Sequence, residues 1–137
     1  GTMPFMAPEV VDLAGPGEAR PYDPACSDLW SCGVVMLELF GVRLGVALGW
    51  DAGTVRPSRA RAHELRTLFS GGSGGAADIF GEVKESTGKC GAEEVMRALT
   101  GTLILEPRSR WTAIELEQCL RPIEGSPLPA HRQRWMR

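Results

Sequence analysis

The sequence predicts a mainly α-helical domain, and three observations predict it. Apolar residues recur at helical spacing in several separate segments, those segments open and close on capping residues, and no stretch alternates as a half-buried strand does. The 137 residues fit one domain or part of a larger one, and 43% apolar with 23% charged residues is an ordinary globular composition.

Residues 1–27 are punctuated by Pro4, Pro8, Gly15, Pro16, Gly17, Pro21 and Pro24, which reads as extended chain around one short helical turn after Pro8. Ser27 is the candidate N-cap of a helix over 28–40, with Asp28 in its first turn and Gly41 as its stop. Val34, Val35, Met36, Leu37, Leu39 and Phe40 cover nearly its whole circumference, so this helix is expected to be central and buried on most sides. The apolar run from Cys32 to Trp50 holds Glu38, Arg43 and three glycines. It therefore reads as a buried helix and loop rather than a membrane span.

Residues 41–58 form a connection broken by Gly, Asp and Pro. A second helix follows over Arg59–Phe69, with Ala62, Leu65, Leu68 and Phe69 on one stripe. Ser70–Gly75 reads SGGSGG, a flexible break, and 76–86 suggests a short helix. Ala92–Glu106 is the next helix, with Val95, Met96, Leu99 and Leu103 facing the core. Thr112 and Glu115 then form a capping box for a last helix, whose apolar side is Ala113, Leu116, Cys119 and Leu120 and whose end is Pro122. A poorly ordered, solvated basic tail is expected beyond it, over 122–137.

Fifteen basic against seventeen acidic residues leave a net charge of −2, with no pull toward nucleic acid or a membrane surface. Cys26, Cys32, Cys90 and Cys119 lack C-x-x-C spacing and have only His63 and His131 to join them. Free thiols in a reducing, cytoplasmic compartment are expected rather than a zinc site. The N-terminal residues show no basic-then-apolar leader.

Three motifs carry a resemblance. Gly1–Val10 reads GTMPFMAPEV, the central helix reads SDLWSCGVVMLEL, and LILEPRSRWTAIEL precedes and enters the last helix. In this order they resemble the end of the activation segment, the central helix and the approach to the last helix of eukaryotic-type serine/threonine protein kinases. The resemblance covers residues 1–121 and implies the helical C-terminal lobe of the kinase fold, without its N-terminal lobe and catalytic loop.

By that resemblance Glu9 and Arg110 match the ion pair that ties the activation segment to the loop before the last helix. Arg108 competes, but P-x-x-R spacing selects Arg110. The planar fork of arginine suits bidentate pairing with a carboxylate. Asp28 and Trp30 match the residues that anchor the catalytic loop. An unpaired acid on a buried helix needs such donors. Thr2, Met3, Pro4 and Phe5 match the segment that shapes the pocket for the substrate residue after the phosphoacceptor.

A kinase also needs a Gly-rich loop, a strand lysine, an H-R-D-x-x-x-x-N catalytic loop and a D-F-G metal site. None is present, and in this family all lie upstream of the A-P-E stretch, so the resemblance implies a truncated kinase domain. ATP and magnesium belong to the full-length kinase, and this chain alone is expected to bind neither and to transfer no phosphate. The implied partners are a protein substrate and the rest of the kinase domain. A pseudokinase or scaffold lobe, and a free-standing helical interaction module, are the alternatives. The chain departs from the family pattern at Trp111, where proline is common, in the 41–58 connection, and in the glycine-rich 70–91 stretch.

Overall fold

The computed structural model describes residues 2–13, 21–50, 55–70, 76–87 and 91–124, and among them every regular element is helical. The helices are α1 (Pro8–Leu13), α2 (Pro24–Leu39), α3 (Leu44–Ala47), α4 (Arg59–Phe69), α5 (Ala76–Thr87), α6 (Ala92–Thr102) and α7 (Ala113–Glu124). Two 3₁₀ turns, Met3–Phe5 and Pro107–Ser109, precede α1 and α7. None of these helices is long and apolar enough to cross a membrane. The SGGSGG break beyond Ser70, Cys90 and the tail from residue 125 lie outside the described residues.

Helix α2 begins one turn earlier than the sequence suggests. Asp23, not Ser27, is its cap: its carboxylate accepts from the Ala25 N–H at 2.9 Å, and Pro24 fills the first helical position, where its missing N–H costs nothing. The C-terminal end falls where expected. Gly41, at φ 89°, takes the left-handed conformation that lets the Val42 N–H reach the Leu37 carbonyl and its own N–H reach that of Glu38.

Helix α2 is also less buried than its composition predicts. Leu29, Trp30, Gly33, Val34 and Leu37 face inward, but Asp28, Cys32, Val35 and Leu39 make a stripe at helical spacing that lies in solvent. Its main neighbours are α6, α3 and the two 3₁₀ turns, whereas α7 leans chiefly on α6, not on α2. The α2–α6 crossing depends on Gly33: a Cβ there would lie 2.6 Å from Thr102 Oγ1 and 2.7 Å from a Leu103 methyl.

Helix α4 spans the predicted residues. Ser58 caps it, accepting from the Arg61 N–H at 3.3 Å, and Ala62 and Leu65 are fully buried, with α1 packed alongside. Its outer end is fixed by Trp50, whose indole N–H donates to Glu64 at 2.6 Å while Arg61 grips the same carboxylate and lies over the Trp50 ring. The Arg61 and Trp50 donors hold the Glu64 carboxyl below the usual carboxylate range. Trp30, Phe69 and Phe80 form an aromatic row joining α2, α4 and α5, the first pair edge-on at 5.1 Å between centroids and the second tilted at 6.4 Å.

Two more ends differ from expectation. Helix α6 stops at Thr102 rather than Glu106, and Glu106 instead caps the following turn through the Arg108 N–H. Helix α7 opens on the predicted capping box, with the Thr112 N–H donating to Glu115 at 2.7 Å and the Glu115 N–H to Thr112 Oγ1 at 3.3 Å. It continues past Pro122 to Glu124, and Ala113 is exposed rather than part of the packed side.

Two measurements check this packing. Alanine contributes roughly 0.5–1 kcal/mol over glycine in a helix interior, yet Gly33→Ala is expected to lose stability in urea denaturation. Its methyl meets Thr102, pinned by a 2.8 Å bond to the Ala98 carbonyl, and overpacking costs about 1–3 kcal/mol. A neutral or stabilising Gly33→Ala would contradict the close crossing. For Glu64, the folded-state pKa lies below the unfolded value of about 4.3. Its stabilisation is therefore complete above that value and disappears as the pH falls through the lowered one. The urea-midpoint difference between wild type and Glu64→Gln should narrow across that acid range, and a difference independent of pH would refute the account.

Candidate functional site

Arg110 follows the 3₁₀ turn Pro107–Ser109, and its backbone N–H closes that turn onto the Pro107 carbonyl at 3.2 Å. The turn points the guanidinium into the protein, where its side chain is 0% exposed. An arginine carries five N–H donors, and here each has an acceptor. Nη1 and Nη2 hold the two Glu9 carboxylate oxygens at 2.6 and 2.8 Å. Nε reaches the Ile104 carbonyl at 2.7 Å, Nη1 also reaches the Cys26 carbonyl at 2.9 Å, and Nη2 reaches that of Leu105 at 3.5 Å. The guanidinium lies over the Trp30 ring, 5.1 Å from its centroid.

This geometry explains why α6 ends early. If the helix ran to Glu106, the Ile104 and Leu105 carbonyls would point along its axis and not toward Arg110. Unwinding after Thr102 turns them to the guanidinium, which replaces the acceptors that burial takes from it. Glu9 comes from the first turn of α1 and keeps 19% of its side chain exposed. Arg108 is exposed and takes no part in the pair.

The structure places the remaining predicted residues on α2 and at the 3₁₀ turn before α1. Asp28 is exposed and has no hydrogen-bond or ion-pair partner among the described residues, so it is not the buried acid the sequence suggested. It lies with Cys32 on the solvent-facing stripe of α2. Trp30 is fully buried, its face under Arg110 and packed edge-to-face with Phe69, and its indole N–H has no partner among the described residues; within this chain it supports the ion pair. Met3 and Pro4 are core residues at the turn against α2 and α3, leaving exposed Thr2 and half-buried Phe5 as the accessible part of that segment. The segment is tied down by Ser31, whose hydroxyl donates to the Phe5 carbonyl at 2.9 Å.

Beside the pair, a groove of about 590 Å³ runs between the outer face of α2 and the start of α7, lined among others by Asp28, Leu29, Cys32, Arg108, Trp111 and Ala113. Cys26 also borders it. Burial, with the hydrogen bond to and charge of Asp23, pushes the Cys26 thiol up and keeps it protonated. Trp111 was legible in the sequence only as a departure. It is half-buried with its ring against Gly101, where a Cβ would collide with the indole, and its backbone N–H donates to the Gly101 carbonyl at 2.9 Å. That glycine makes room for the large ring directly after Arg110.

Compared with protein-family models, with curated proteins and with solved structures, the chain finds no match.

Leaving one charge of such a pair buried alone costs about 3–5 kcal/mol, whereas replacing both with apolar residues costs far less. Arg110→Met is therefore expected to lower the unfolding free energy by about that amount, and Glu9→Leu/Arg110→Met by less than Arg110→Met alone. A double variant as unstable as the sum of the two single variants would show that the residues act independently.

Proposed function

We propose that this chain is the C-terminal lobe of a serine/threonine protein kinase, in which it forms the platform for ATP-dependent phosphorylation of protein hydroxyls. The observation that carries the reading is the Glu9–Arg110 pair. Two motifs at opposite ends of the sequence meet in a bidentate, buried contact, as the resemblance requires of an activation segment tied to the loop before the last helix. The solvent-facing stripe of α2 supports it. In the family this face lies under the catalytic loop and the long helix before it, and the exposed carboxylate of Asp28, without a partner among the described residues, stands ready to accept backbone N–H groups of that loop.

In this reading each residue has a limited role. Asp28 positions the catalytic loop and touches neither ATP nor substrate. Thr2, with Phe5 beside it, borders the substrate path. Glu9 and Arg110 hold that path to the lobe over Trp30. ATP and magnesium are held by the Gly-rich loop, strand lysine, catalytic loop and D-F-G segment, all N-terminal to Gly1 in such a kinase. This chain supplies none of their ligands.

Two experiments follow. The reading frame that encodes this chain is sequenced upstream of Gly1, and its whole product is assayed with ATP, magnesium and a protein substrate. An intact H-R-D-x-x-x-x-N and D-F-G, with phosphate transferred to serine or threonine and kcat reduced in Asp28→Asn, is the expected result. A product without those motifs, or one that carries them and transfers nothing, would overturn the catalytic reading in favour of a scaffold. Purified residues 1–137 are expected to show no magnesium-dependent ATP binding and to bind an apolar dye at the open stripe, less so in Val35→Lys/Leu39→Lys. Specific ATP binding, or dye binding unchanged by that variant, would contradict the assignment of this face.

A further inference from the structure

We draw no further inference here: the strongest candidate, the groove between the outer face of α2 and the start of α7 with the exposed Asp28 in its wall, belongs to the face that the kinase reading already assigns to the catalytic loop and the helix before it.

Discussion

A single guanidinium, buried with every N–H satisfied, fixes the arrangement of three stretches of chain. Arg110 holds the Glu9 carboxylate in α1, the Cys26 carbonyl in the first turn of α2, and the Ile104 and Leu105 carbonyls after α6. Removing an arginine from water is expensive, and only near-complete replacement of its hydration makes the burial tolerable. The constraint therefore runs outward from the side chain. Helix α6 unwinds to present two carbonyls, the 3₁₀ turn aims the arginine inward, and α1 places its first-turn acid opposite. Trp30 completes the cradle from below and passes the contact on through Phe69 and Phe80 to α4 and α5.

Against this tightly specified interior, the outer face of α2 is open. Val35 is 47% and Leu39 65% exposed on a helix whose opposite face is fully buried. Each large apolar side chain left in water forgoes roughly 1.5–3 kcal/mol relative to burial, and whole-domain stability is only about 5–15 kcal/mol. Val35 and Leu39 are partly exposed and forgo a part of that figure each. Covering this face would recover part of that burial, and in the kinase reading proposed above the preceding helix covers it.

Much of the fold was legible because local signals and packing agree. The Arg59–Phe69 helix has a serine cap and an unbroken apolar stripe, the Thr112–Glu115 box is local chemistry, and Gly41 is the one residue suited to the left-handed stop. The misplaced ends are those where distant residues decide. The periodic pattern of Val95, Leu99 and Leu103 runs on toward Glu106, and nothing local shows that Arg110 draws the Ile104 and Leu105 carbonyls out of the helix. The solvent-facing stripe of α2 has a related origin. Composition reports how apolar a helix is, but not which of its faces has a neighbour, and the choice between Asp23 and Ser27 as cap moves the apparent start by one turn. The pairing of Glu9 with Arg110 followed from the resemblance alone, since no local rule joins residues so far apart.

Arg110 acts through the shape of its fork and not through charge alone, and amide hydrogen exchange on Arg110→Lys tests this directly. Lysine keeps the charge but cannot hold a carboxylate bidentately while donating to three carbonyls. Exchange measured under conditions where the variant remains folded should rise together in α1, in the first turns of α2 and across residues 103–111, while the α4 and α5 amides near Leu65 and Val83 keep their protection. Wild-type exchange in all these segments, or a rise confined to 103–111, would contradict the claim that this arginine ties the three stretches together.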